Sequence, residues 1–257
     1  MEQFSGTVWR TGLNNRFKRV AEYYGQEGFA RIRNARILIA GLGGVGSHCA
    51  AALARTGIGS LVLVDFDSIT ESSLNRNPVV AGESVGISKS EALSNSLQAL
   101  CPDTEYIPVE LFITEETLQN PGFLKGSQLV ADAIDSLNPK TQLLQYCVQK
   151  GVPVFSSMGA SGRSDPSRIK TGDISETTGC HLARMVRKYL KRRGISTGVS
   201  CVWSTEQAIK PLPPDENEPR LDTRGRVRNT LPGIITMPGI FGYALAQMVL
   251  DSIAQKH

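Results

Sequence analysis

Gly41, Gly43 and Gly46 stand at the G-x-G-x-x-G spacing in "AGLGGVGSHCA", between an apolar run and a stretch of small residues with helical spacing. Such a turn, with Gly44 inside it, lets backbone N–H groups and a helix N-terminus reach a phosphate, because no side chain blocks the approach. By itself it indicates a nucleotide, either a nicotinamide dinucleotide or ATP. Asp65 ends the next apolar run, where a carboxylate accepts from the ribose hydroxyls of either ligand.

The residues after Asp65 separate the two. "DFDSITESSLNRN" (65–77) sets Asp67, Ser72, Asn75 and Arg76 directly behind the strand, and Lys89 opens the following helix. A dinucleotide has bridging phosphates that the turn alone satisfies, whereas a triphosphate undergoing substitution needs further cations on its β and γ groups and a metal. Arg76 and Lys89 supply the cations, and Asp135, ending "QLVADAID", supplies a carboxylate for Mg²⁺. Each alone reads as a surface charge or helix cap; the combination points to ATP. His48 lies inside a packed helix with no acid or nucleophile beside it in sequence, which reads as structural.

The elements that must carry these residues alternate. "ARILIAG" (35–41) reads as a strand, 44–56 as a helix and "SLVLVDFD" (60–67) as a second strand, making a βαβ unit. A helix at 89–100, a strand at 104–111, a strand at 128–135, a helix at 140–150 and a strand at 152–157 continue the pattern. The expectation is an α/β protein with a doubly wound, mostly parallel sheet of Rossmann type and a smaller C-terminal α+β extension. Its parts would be an N-terminal helical segment (1–34), an ATP-binding adenylation domain (35–158) and a substrate-binding, dimer-supporting extension (159–257). In the extension, a basic helix is expected at about 180–193, a strand at 198–205, a proline- and charge-rich loop at 209–233 and an apolar helix from about 237 to 254.

With 257 residues, 40% hydrophobic and 20% charged, the chain can bury a sizeable core in one or two domains. A net charge of +4 does not indicate nucleic-acid binding unless it is concentrated. The five cysteines, at 49, 101, 147, 180 and 201, are odd in number and form no CxxC pair, so neither a zinc ribbon nor a disulfide framework is indicated, and a reducing, cytoplasmic compartment fits best. The opening residues lack the charged head and apolar run of a secretory signal. "LPGIITMPGIFGYALAQMVL" (231–250) is broken by Pro232, Pro238 and Gln247, against a membrane span.

"GLGGVGS", "LVDFD", "SSLNRN", Lys89 and "DAIDS" resemble the motifs of the ubiquitin-activating-enzyme-like superfamily, which includes the molybdopterin- and thiamine-biosynthesis adenylating enzymes. "RFKRVAEYYGQEG" (16–28), "SDPSRIKTGDISET" (164–177), "VSCVWSTE" (199–206) and "TMPGIFG" (236–242) are similar to its tRNA threonylcarbamoyladenosine dehydratase branch. That resemblance implies ATP-dependent cyclisation of threonylcarbamoyladenosine beside the tRNA anticodon to a hydantoin, through a carboxylate adenylate. Arg76, Lys89 and Asp135 would be catalytic, with Asp135 holding Mg²⁺; Gly41, Gly43, Gly44, Gly46, Asp65, Asp67, Ser72 and Asn75 would bind ATP. It further implies a homodimer in which Arg16 or Arg19 reaches the partner's phosphates, and it allows a monovalent cation and a cysteine-desulfurase or sulfur-acceptor partner. Cys201 matches a cysteine of related dehydratases, but ring closure needs no thiol. The tRNA would lie on Arg184, Arg187, Lys188 and Lys191, which recur at three- and four-residue spacing and so share a helix face.

Two departures stand out: Ser72-Ser73 replaces the usual Ser-Asn, and Gly179-Cys180-His181 stands where Asp-Pro is more common. The alternatives are adenylation of a sulfur-carrier or ubiquitin-like protein's C-terminus, and a nucleotide-binding module without catalysis. The missing CxxC pairs, and the lack of a long cysteine domain and a ubiquitin-fold domain, argue against the first.

Overall fold

The computed structural model describes residues 13–210, 212–213 and 232–255. In chain order the elements are α1 (Leu13–Asn34), β1 (Arg36–Ala40), α2 (Gly44–Thr56), β2 (Ser60–Asp65), α3 (Glu71–Leu74), α4 (Lys89–Leu100), β3 (Glu105–Glu110), α5 (Glu115–Leu118) and β4 (Leu129–Asp132). There follow α6 (Leu137–Lys150), β5 (Val154–Ser157), β6 (Ile169–Asp173), α7 (His181–Lys191), β7 (Ser200–Ser204) and α8 (Thr236–Ala254).

The strands form one seven-stranded sheet in the order β3-β2-β1-β4-β5-β7-β6, parallel except for β6, which runs antiparallel to β7. β1 and β2 are apolar almost throughout because both faces of the sheet are covered. On one face Ile37, Ile39, Leu61 and Leu63 pack with α2, α4 and α8; on the other Leu38, Ala40, Val62 and Val64 pack with α6 and α7. Chain order reverses between β1 and β4, and at such a switch point the strand ends splay and leave a crevice for a ligand.

α2 ends in a left-handed glycine, Gly57 (φ 89°), whose N–H and that of Ile58 return to Ala54 and Leu53. α8 lies tightly on α2: a Cβ at Gly242 would stand 2.5 Å from the Val45 carbonyl oxygen. That packing explains the apolar residues of α8, of which Met237, Phe241, Leu245 and Val249 are buried, and among the described residues no helix is long and apolar enough to cross a membrane.

The alternating pattern holds with two corrections. The strand expected over 128–135 stops at Asp132, because Ile134 N–H turns back onto Asp132 Oδ1 at 3.0 Å instead of extending the ladder. β6 was not expected, since its sequence "IKTGD" carries little apolar pattern; it is an edge strand, half-exposed and paired on one side only.

Candidate active site

Each glycine of the turn has its own reason. Gly41 is left-handed (φ 86°), and a Cβ there would meet the Ala133 backbone at 2.9 Å. A Cβ on Gly46 would sit 1.8 Å from the Gly41 carbonyl oxygen, so the helix can start this close to the strand only with glycine. Gly43, the residue before α2, has nothing within 4 Å of its missing Cβ and lines a cavity of about 1150 Å³. An anion can therefore approach its backbone and the α2 N-terminus.

Asp65 is buried at the end of β2, where Oδ2 accepts from Leu42 N–H at 2.6 Å and Oδ1 from Asp67 N–H at 2.9 Å. Its carboxylate thus braces the glycine turn as well as facing the cavity. Burial raises its pKa, partly offset by the charge of Lys89 and by those two N–H bonds. Lys89 Nζ lies 2.6 Å from Asp67 Oδ2, and the Lys89 N–H donates to the Asp67 carbonyl, tying the start of α4 to the strand exit. Arg76 donates to the Ser72 carbonyl and to Asn75 Oδ1. Arg76, Lys89, Asp65, Asp67 and Asp135 all line the cavity, whereas Ser72 and Asn75 do not: they hold Arg76. Ser73, at the position of the usual asparagine, is buried and closes a reciprocal cap with Thr70 at the start of α3.

Asp135 sits beyond β4, exposed to the cavity and joined by Ser136 Oγ at 3.2 Å. Beneath it is a cluster missing from the sequence-based site. Lys140 Nζ donates to Asp132 Oδ2 at 2.6 Å and to the Ile134 carbonyl at 2.8 Å, and Ser156 Oγ donates to the same carboxylate oxygen at 2.6 Å. All three side-chain groups are shut away from solvent and pin the 132–135 turn that carries Asp135. The signal was available in "DAIDSLNPK": an acid closing a buried strand and a lysine near the start of the next helix.

The cavity continues past the nucleotide end along Met158, Gly159 and Arg163 to the first turns of α7, where His181, Arg184 and Arg187 line it. Arg184, Lys188 and Lys191 are exposed, but Arg187 is half-buried and folds back onto the Thr177 carbonyl and hydroxyl. The shared cationic face therefore has three free members and not the expected four.

Arg16, exposed, pairs with Asp103 at 2.5 Å, and Arg19 is exposed; neither lines this chain's cavity. His48 Nδ1 lies 2.6 Å from the Gly44 carbonyl, its ring stands edge-on to Tyr243, and burial lowers its pKa, which fits a packing role. Cys201 is wholly buried on β7 and burial pushes its thiol up to about 12, so it is inert where it stands. All five cysteines are free and buried. The basic stretch at 220–228 lies outside the described residues.

A glycine turn at a sheet switch point, cations behind the second strand and a carboxylate beyond the fourth define a Rossmann-type enzyme that handles a nucleotide's phosphates. The ThiF family model matches residues 16–257, and the chain belongs to that family. It is 32% identical over 256 residues to tRNA threonylcarbamoyladenosine dehydratase 2 of Saccharomyces cerevisiae, covering 95% of this chain and 57% of that one. It is 35% identical over 195 residues to tRNA threonylcarbamoyladenosine dehydratase of Bacillus subtilis, covering 76% of each. Among solved structures, the Escherichia coli tRNA N6-threonylcarbamoyladenosine dehydratase in complex with AMP superimposes with a TM-score of 0.84 at 29% identity, covering 98% of both chains. The same E. coli enzyme in complex with ATP gives a TM-score of 0.81.

Proposed function

We propose that this chain catalyses ATP-dependent dehydration of threonylcarbamoyladenosine beside the tRNA anticodon. The observation that carries the reading is the unobstructed backbone at Gly43, opening on one cavity that also holds Arg76, Lys89 and Asp135. At about 1150 Å³ that cavity exceeds what a drug-sized ligand usually needs, leaving room for a nucleotide together with the end of a second substrate.

The chemistry explains why ATP is required. A carboxylate cannot release oxide, so the threonyl carboxylate oxygen attacks the α-phosphorus of ATP, the bond to the bridging oxygen breaks, and pyrophosphate leaves. A nitrogen of the carbamoyl group then attacks the acyl carbon, loses its proton, and expels AMP; the net loss from the nucleoside is one water. Negative charge grows on the β and γ oxygens in the first step, and Arg76 and Lys89 on the cavity wall supply the opposing charge. Asp135, a single oxygen ligand beside the phosphate region, suits Mg²⁺, which keeps most of its shell as water and phosphate oxygen and would neutralise the departing pyrophosphate. Asp65 orients the ribose while bracing the turn. The cationic face of α7 at the far end of the cavity offers a surface for tRNA phosphates.

The same reading includes a homodimer, in which Arg19, or Arg16 released from Asp103, reaches the partner's phosphates, and a reducing, cytoplasmic setting in keeping with five free thiols. A monovalent cation and a sulfur-acceptor partner belong to the family resemblance; the burial of Cys201 weighs against its handling sulfur from this conformation.

The test is nucleoside analysis of modified tRNA incubated with the protein, ATP and Mg²⁺. The expected product is lighter by one water, with one pyrophosphate released per conversion. Pyrophosphate exchange stimulated by a small carrier protein and not by tRNA would favour the carrier-activating alternative, and ATP binding without turnover on either would leave a binding module.

A further inference from the structure

Arg163 presents an imbalance that the ATP chemistry does not use. It follows β5 at the carboxyl edge of the sheet, lines the cavity, and is only 7% exposed. Its Nε donates to the Glu206 carbonyl at 3.0 Å, and Nη1 donates to the carbonyls of Gly159 and Ser161. Every acceptor is a neutral carbonyl: none of the described ion pairs involves Arg163. The nearby carboxylate of Glu206 is occupied by the N–H groups of Ser164 and Asp165. Nη2 has no described acceptor, and it is absent from the sealed, unsatisfied polar atoms. The guanidinium is therefore locked in place through Nε and Nη1, and Nη2 is left for a ligand in the cavity that the side chain lines.

A buried cation without a counter-charge is costly unless an anion arrives to complete it. The distribution of charge around the cavity indicates where that anion lies. The three described acids that line it, Asp65, Asp67 and Asp135, follow β2 and β4 at the nucleotide end, whereas the wall formed after β5 and by α7 carries Arg163, Arg184 and Arg187 with no described acid. β5 is two strands from β1, or about 10 Å across the sheet at normal strand spacing, so Arg163 lies beyond the glycine turn, at the end of the cavity away from Asp65 and Asp67.

We propose that Arg163 recognises the free carboxylate of the tRNA-borne substrate and so makes the enzyme select tRNA that carries one. The inference rests on the function proposed above. An anionic nucleophile must be brought against an anionic triphosphate, and a fixed guanidinium outside the phosphate site holds it there without competing for ATP. Nη2 carries two N–H donors, and a guanidinium N–H to a carboxylate is a charge-assisted hydrogen bond, stronger than one to a neutral carbonyl.

The experiment compares binding of three versions of one tRNA, without ATP: unmodified, carrying threonylcarbamoyladenosine, and carrying its neutral carboxamide. Wild type is expected to prefer the carboxylate form over both others by about 10–100-fold, the worth of a charge-assisted pair. Arg163→Gln is expected to erase that preference while keeping wild-type affinity for unmodified tRNA and for ATP, and Arg163→Lys to restore part of it. A side chain that merely closed the loop would change all three tRNAs alike. Retention of the full preference in Arg163→Gln would overturn the proposal. Should that variant not fold, the wild type still decides: equal affinity for carboxylate and carboxamide tRNA would overturn it too. Failure of the functional reading looks different, as wild type that discriminates among the tRNAs yet forms no dehydrated nucleoside with ATP.

Discussion

The Asp132 carboxylate and the Lys140 ammonium meet at 2.6 Å with neither side chain exposed, directly below the turn that presents Asp135. Removing one member of a buried pair strands the other charge, which typically costs about 3–5 kcal/mol. Lys140→Met is expected to lower the thermal midpoint sharply, and adding Asp132→Leu to recover much of the loss. Single and double variants compared by calorimetry decide it; a Lys140→Met midpoint within a degree or two of wild type would show that the pair is not the clamp.

Lys89 and Asp135 are expected to matter for rate more than for fold, since both are at least partly open to the cavity. Substitution of either by Ala should cut turnover by roughly a hundredfold or more, the usual loss when a preorganised charge is removed, with circular dichroism unchanged. Asp67→Asn should give a smaller loss by releasing Lys89. Near-normal turnover in both alanine variants would remove these side chains from the chemistry.

Asp173 should make stability depend on pH. Burial works to raise its carboxyl, but bonds from the Ser175 hydroxyl and the N–H groups of Ser175, Gly198 and Val199 prevail and hold it below the usual carboxylate range. A depressed native pKa contributes stability above the unfolded value of about 3.9 and loses it as pH falls through the native one. Asp173→Asn should therefore be less stable than wild type by about 1–2 kcal/mol at neutral pH, with the gap closing in acid. Denaturant titrations at several pH values test this, and a gap independent of pH would contradict it.

Arg184, Lys188 and Lys191 are the α7 cations free to meet a polyanion, because Arg187 is spent on Thr177. Replacing the three with Gln should weaken tRNA binding, leave the KM for ATP nearly unchanged, and flatten the log–log salt dependence by about one unit per lost phosphate contact. Affinity measured across a salt series gives the answer. If neither affinity nor slope moved, the tRNA would dock on another surface.

The local chemistry of this protein was legible in its sequence. Period-2 and period-3.6 patterns and a glycine turn are short-range properties, so the residues give α2 and α4 at the expected 44–56 and 89–100, and Gly41, Asp65, Arg76 and Lys89 come together at one edge of the sheet because a parallel sheet collects its strand exits there. What tertiary structure decided are the pairings between segments far apart in the chain. Whether Lys140 is a surface charge or a sealed partner of Asp132 depends on where α6 packs, and whether Arg187 points outward or to Thr177 depends on the segment before α7. The edge strand β6 exists because β7 offers it a ladder and not because of its own residues. Arg163 reads as one more loop cation until the backbone at 159–161 and 206 closes around its Nε and Nη1 and fixes it in the cavity wall.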